Sequence, residues 1–219
     1  MRQHFEQARE LMVETQVRPN RVTDEALISA MLHIPRENFV AEPFKGQAYT
    51  DEDVSLGNGR YLLEPMILAR LLQAAHIQKT DMALDIGCGT GYATALLARL
   101  CSRVTGIESD AKLAKTAGEL LMQSGISNAT IVQQDMRKGY APKAPYNVIL
   151  INGAAGAVPE ALKSQLAEGG RLVTVLSRHG HIGTAIHITR HGNSFVTQNL
   201  FEAATPFLAG FEAAKPFVL

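Results

Sequence analysis

Apolar residues open the chain at helical intervals: Phe5, Ala8, Leu11 and Met12 recur with a spacing that gathers them on one face of a 3.6-residue helix. A second helix is predicted to start at Thr23, a capping residue type, ahead of Asp24-Glu25-Ala26-Leu27, whose acids suit the positive end of a helix. After Pro35 the periodicity fades. Residues 41–61 (AEPFKGQAYTDEDVSLGNGRY) carry Pro43, Gly46, Gly57 and Gly59 among four acids and read as an ordered loop. A connector this long inside a compact domain usually covers a site, so a lid is expected here. From Glu64 to Ala75 the helical interval returns, with Pro65 in the first turn, where its missing N–H has no partner to lose.

Beyond residue 80 the pattern shortens. MALDIG (82–87), SRVTGIE (102–108), ATIVQQ (129–134), YNVILING (146–153) and GRLVTVLS (170–177) are brief apolar, β-branched runs, and helical or loop-like stretches separate the first four. Strands alternating with helices predict an α/β fold, a mostly parallel sheet with helices on both faces. TAIHITR and SFVTQNLFEA, joined by His191-Gly192-Asn193, predict a C-terminal antiparallel hairpin at the sheet edge. The expected organisation is a single compact domain: an N-terminal helical arm and lid over 1–75, packed on an α/β core over 76–219.

Composition removes several classes. The 219 residues include 21 Lys plus Arg against 21 Asp plus Glu, so no global basic field exists to grip nucleic acid or an anionic membrane, and neither partner is expected. Cys88 and Cys101 have neither metal-ligand spacing nor the density of a disulfide framework, which points to inert core thiols in a reducing compartment. The charged N-terminus lacks the apolar segment of a signal peptide, and nowhere do 18 uncharged apolar residues run together, so a cytoplasmic location is expected. His179, His181, His187 and His191 crowd the C-terminal region, but no carboxylate or cysteine joins them and a hairpin does not aim them at one point; no metal site is predicted. The C-terminal TPFLAGFEAAKPFVL is expected to pack across the sheet edge.

Candidate chemistry is concentrated in Leu84-Asp85-Ile86-Gly87-Cys88-Gly89-Thr90-Gly91-Tyr92, between a predicted strand and the helix from Ala93 to Leu100. Glycines let a ligand approach the backbone, and a helix N-terminus offers unpaired N–H groups. The spacing is G-x-G-x-G, and Tyr92 stands where the dinucleotide fingerprint requires its third glycine, so nicotinamide and flavin dinucleotides lose ground. Asp85, directly before the loop, repels a pyrophosphate but attracts the ammonium of a methionyl cofactor such as S-adenosyl-L-methionine (AdoMet). Glu108, ending the second strand, sits where this architecture places an acceptor for ribose hydroxyls, with Ser109 beside it. Asp135, just after the third strand, is placed to receive an adenine amino group, flanked by Met136. Together these residues predict a Rossmann-like AdoMet-dependent methyltransferase fold. Asn152, after the fourth strand, is expected to face the acceptor pocket.

The chain resembles the protein-L-isoaspartate O-methyltransferase family from about residue 5 to about 177. The matching stretches are VTDEALISAMLHIPRENFV (22–40), AYTDEDVSLGNG (48–59), EPMILARLL (64–72), LDIGCGTGYATALLA (84–98), GIESDAKL (106–113) and PYNVILINGAAGAVPEALKSQLAEGGRLV (145–173). The glycine loop is common to many methyltransferases; Pro-Arg-Glu-x-Phe-Val followed by Ala-Tyr-x-Asp and Gly-x-Gly is particular to this family. The resemblance implies methyl transfer from AdoMet to the free carboxyl of an L-isoaspartyl residue in a damaged protein or peptide.

The lid departs from the pattern. Where the family reads Gly-x-Gly-Gln-Thr-Ile-Ser-x-Pro, this chain reads Gly57-Asn58-Gly59-Arg60-Tyr61-Leu62-Leu63-Glu64-Pro65 in the same register. The family's threonine and serine hydroxyls, which line the meeting point of cofactor and acceptor, fall on Tyr61 and Leu63. Arg60, Tyr61, Leu62 and Leu63 are therefore the candidate pocket residues, with Arg60 a candidate bidentate clamp for the acceptor's carboxylate. A bulkier, more apolar mouth also admits an alternative: a diverged paralogue acting on a less polar, small-molecule acceptor, or a non-catalytic AdoMet-binding protein. In addition, the family's Gly-Asp-Gly after the third strand is here Gln134-Asp135-Met136.

Overall fold

A computed structural model describes residues 2–178 and 181–212; His179 and the last part of the C-terminal segment lie outside the described residues. The chain opens with α1 (Arg2–Met12), α2 (Glu25–His33) and, after the lid, α3 (Pro65–Ala74). Asp24, one residue later than expected, caps α2: its carboxylate accepts from the amides of Ala26 (2.9 Å) and Leu27 (3.1 Å). The amides of Thr23 and Asp24 both donate to the side-chain carbonyl of Gln73 on α3. The segment expected to be a loop contains regular structure. Val54–Gly57 (β1) and Arg60–Leu62 (β2) form a small antiparallel hairpin whose turn places Gly57, Asn58 and Gly59 at positive φ. The glycines and the asparagine that suggested a loop are what this turn requires.

The core strands are β3 (Met82–Ile86), β4 (Arg103–Glu108), β5 (Ala129–Gln133), β6 (Tyr146–Ala155) and β7 (Leu166–Leu176). With the hairpin β8 (Gly183–His191) and β9 (Ser194–Ala203), they build a seven-stranded sheet in the order β5-β4-β3-β6-β7-β8-β9. β3 to β7 are parallel, and β8 and β9 run antiparallel at the edge, as the sequence pattern led us to expect.

The period of two along each strand decides which side chain meets which layer. Val148 and Leu150 on β6 join Ala83, Val104 and Val173 against α1, α2, α3, α4 (Tyr92–Leu100) and α5 (Ala111–Gln123). Ile149 and Ile151 join Leu84, Ile86, Ile107 and Leu172 on the opposite face. That second face is covered more thinly, by the four-residue helix α6 (Glu160–Lys163), the turn at Met136 and the segment that carries Leu208 and Phe211. The C-terminal segment therefore lies over the middle of the sheet, not across its edge. Phe207 bridges to Ala154 on β6, and the Leu208 amide donates to the Ala154 carbonyl (2.9 Å).

Candidate active site

The strand order reverses at β3, between β4 and β6, so the loops leaving β3 and β6 diverge and open a crevice at the carboxyl ends of the strands. The glycine loop sits there. Gly87, Gly89 and Gly91 have φ of 77°, 56° and 95°, values that side-chain-bearing residues rarely adopt, and Gly91 immediately precedes α4. The amides of Gly87 and Cys88 turn back to the Ile107 carbonyl (2.9 and 3.1 Å), which fixes the loop against β4.

Glu108 is fully buried at the end of β4. Its Oε1 accepts from the amides of Ser109 (2.7 Å) and Asp110 (3.0 Å), and its Oε2 from the Gly89 amide (3.1 Å). The guanidinium of Arg60, on β2 of the lid, completes the set, with Nε 3.0 and 3.2 Å from the two oxygens. Arg60 Nη2 donates to Ser109 Oγ (2.8 Å) and lies 3.8 Å from Met136 Sδ. Arg60 does turn inward and hold a carboxylate, but the carboxylate is the protein's own.

Asp85 is equally buried. Thr94, one turn into α4, donates its hydroxyl at 2.6 Å, and the Asn152 amide stands at 3.4 Å. Burial pushes the Asp85 carboxyl up to about 7; the bonds from Thr94 and Asn152 oppose the rise, and the Glu108 carboxylate adds to it. Asn152 thus reaches the acid that precedes the glycine loop. Between these acids lies Cys88, whose thiol burial raises well above its ordinary value, while Cys101 is pushed up to about 11; both remain protonated and unpaired.

The lid is pinned from three directions. Asn58 at its turn donates to Asp110 (2.7 Å), the N-cap of α5. Arg60 grips Glu108. Arg36, fully buried, donates to the carbonyls of Ala48 (2.6 Å) and Leu63, and its guanidinium lies 5.0 Å from the centroid of the Tyr92 ring. Side chains alternate along β2: Arg60 and Leu62 point inward and Tyr61 is 36% exposed, whereas Leu63 is 1% exposed within the main core. Asp135 caps the turn after β5 by accepting from the Arg137 amide (3.0 Å) and pairs with Lys138 at 3.6 Å.

Three participants escaped sequence reasoning. Thr94 looks like any helical threonine until the fold sets it against Asp85. Leu208 comes from a segment read as edge packing, yet its Cδ1 lies 2.5 Å from where a Cβ on Gly87 would stand. Leu56 approaches Gly89 in the same way, at 2.8 Å.

An open α/β sheet with a G-x-G-x-G loop, a buried acid closing the next strand and no third dinucleotide glycine is the arrangement of a methyltransferase-type α/β fold. Comparison with known proteins narrows the class. Residues 6–205 match the family model described as Protein-L-isoaspartate(D-aspartate) O-methyltransferase (PCMT). A protein-L-isoaspartate O-methyltransferase of Koribacter versatilis is 41% identical over 74% of this chain and 73% of its own length. Another, of Methylorubrum populi, is 37% identical over 94% and 98%. A solved protein-L-isoaspartate O-methyltransferase superposes with a TM-score of 0.81 at 25% identity, covering 94% of this chain and 67% of the other. A second solved structure, a beta-aspartate methyltransferase of Plasmodium falciparum in complex with S-adenosyl-L-homocysteine (AdoHcy), shares the fold with a TM-score of 0.75 over 91% and 97%. The chain belongs to the protein-L-isoaspartate O-methyltransferase family, whose cofactor is AdoMet. Among the described residues, no helix is long and apolar enough to cross a membrane.

Proposed function

We propose that this chain transfers the methyl group of AdoMet to the free carboxyl of an L-isoaspartyl residue in a peptide or protein. Support comes above all from one juxtaposition: the left-handed glycines 87, 89 and 91 and the buried carboxylate of Glu108 converge at the switch point. These residues fit the cofactor in kind. The bare backbone at Gly87 and Gly89 accepts close neighbours, Glu108 offers acceptors for a ribose diol, and Asp85 offers a carboxylate to an ammonium group. AdoMet supplies, when bound, an electrophilic methyl on a sulfonium.

The remaining chemistry asks little of the protein. A carboxylate is ionised at neutral pH and is itself the nucleophile, so no side chain has to remove a proton. The chain contributes alignment and exclusion of water. The lid, anchored at its base by Arg36, is the element able to do both. The family's small hydroxyls are absent from it, and Leu63 is packed away from solvent, which favours a second reading in which a less polar acceptor is used. The buried free thiols suit a reducing, cytoplasmic setting.

Incubation with methyl-labelled AdoMet and an isoaspartyl peptide, alongside the same peptide with normal aspartate and a metabolite extract, tests both. Base-labile methyl ester on the isoaspartyl peptide alone is expected. Label appearing only in the extract would transfer the assignment to the second reading, and no label anywhere would defeat both.

A further inference from the structure

In the crevice that makes this chain a candidate methyltransferase, the glycine loop and the buried acid are contacted by the chain's own side chains. Glycines at 87 and 89 leave the backbone open to a ligand, yet the atoms that come close are Leu208 and Leu56, at 2.5 and 2.8 Å from the positions a Cβ would take. Gly153, across the crevice on β6, likewise has Leu208 Cβ within 2.9 Å of its absent Cβ. The acceptors of Glu108 are saturated: three backbone amides and both contacts from Arg60 Nε. A ribose diol donates hydrogen bonds to the same two oxygens, so it competes directly with the guanidinium. The competitor is not a surface side chain. Arg60 is 5% exposed and Glu108 is 0% exposed, and Arg60 Nη1 is buried without a hydrogen-bond partner among the described residues.

We propose that Arg60, with Leu56 and Leu208, is an intramolecular occupant of the cofactor crevice, so that AdoMet binds only by exchanging the Arg60–Glu108 ion pair and displacing the lid hairpin and residues 207–211. The inference rests on reading the crevice as an AdoMet site. It makes Arg60 the residue that sets cofactor affinity in this chain. Two anchors make the exchange a movement of connected parts. Asn58 holds the hairpin turn to Asp110, and the Leu208 amide holds the C-terminal segment to Ala154. Breaking a buried, hydrogen-bonded ion pair is costly unless new partners replace both halves. The ribose hydroxyls replace Arg60 at Glu108, and the freed guanidinium gains water.

Calorimetric titration of the full chain with AdoHcy tests this in the wild type, Arg60→Gln and Leu208→Ala, with thermal melts confirming that each variant is folded. Arg60→Gln is expected to tighten AdoHcy at least tenfold and Leu208→Ala severalfold. Hydrogen exchange supplies an independent measure: in the wild type, AdoHcy is expected to speed exchange of the amides at 55–62 and 207–211. Equal or tighter binding by the wild type, with those amides more protected by AdoHcy, would overturn the occupant and leave the methyltransferase reading standing. No binding by any of the three folded proteins at millimolar AdoHcy would overturn both together.

Discussion

Replacing Asp85 by asparagine is expected to stabilise the protein, increasingly so as pH rises. Asp85 is buried, and its carboxyl is displaced from about 3.8 to about 7, chiefly by burial. A raised value means that the folded state favours the neutral acid. Asp85 is therefore least costly below the unfolded value near 3.8, and stability is lost as pH rises from there through about 7. The full displacement corresponds to about 4 kcal/mol, of which roughly 2 to 3 kcal/mol develops between pH 5 and pH 8. The asparagine side chain keeps an acceptor for the Thr94 hydroxyl and carries no titration. Any rearrangement of its amide against Asn152 adds a pH-independent offset. Urea unfolding of both proteins at pH 5 and pH 8 isolates the effect, because titrating groups that do not interact with Asp85 cancel in the difference. The advantage of the variant should be about 2 to 3 kcal/mol greater at pH 8, or roughly 4 to 12 °C in melting temperature for a domain of this size. An advantage that changes by less than about 0.5 kcal/mol would show that Asp85 is ionised in the folded protein throughout, and would refute the burial argument. The same variant should bind AdoHcy more weakly, since it lacks the charge meant for an ammonium group. A gain in stability with a loss in binding is the pattern of an acid retained for function.

Three further outcomes follow from the packing. A double-mutant cycle between Arg60→Met and Glu108→Met, followed by urea unfolding, should give a coupling of about 2 to 3 kcal/mol, because each single change leaves a buried charge without its partner; a coupling near zero would mean that the pair is not formed in solution. Leu63→Ser, which restores the family's residue type, should destabilise by about 3 kcal/mol because it opens a cavity and buries a hydroxyl; a melt unchanged from wild type would show that residue 63 faces the crevice mouth. Gly153→Ala should cost about 1 to 3 kcal/mol, since its new methyl meets Leu208 at 2.9 Å; an unaltered melting temperature would place Leu208 elsewhere in solution.

The sequence determined those features whose causes are local. Period-two and period-3.6 patterns identified β3 to β9 and α1 to α4 to within a few residues, since each element's own side chains decide which face is buried. The glycine loop was legible for the same reason: positive φ at three nearby positions is a local demand that glycine meets. The lid hairpin was missed because Asn58 and its flanking glycines signal a turn without specifying that the short strands beside it pair. The capping site of α2 was off by one: Thr23 and Asp24 are both capping residue types, and the first helical turn begins late enough that Asp24, not Thr23, takes the amides of Ala26 and Leu27.

Tertiary structure alone decided what the chemical groups do. Arg60 and Glu108 are 48 residues apart, and an arginine in a lid is equally readable as a clamp for an acceptor or as a partner for an internal acid. Only the folding of β2 over the end of β4 excludes water from the pair and makes them partners. Likewise, nothing near Leu208 in the chain points to the glycine loop. That contact exists because the C-terminal segment runs over β6 to cover a sheet face otherwise shielded by little more than α6 and a turn. Apolar patterning states that a residue must be buried, whereas the chain's path determines what it is buried against.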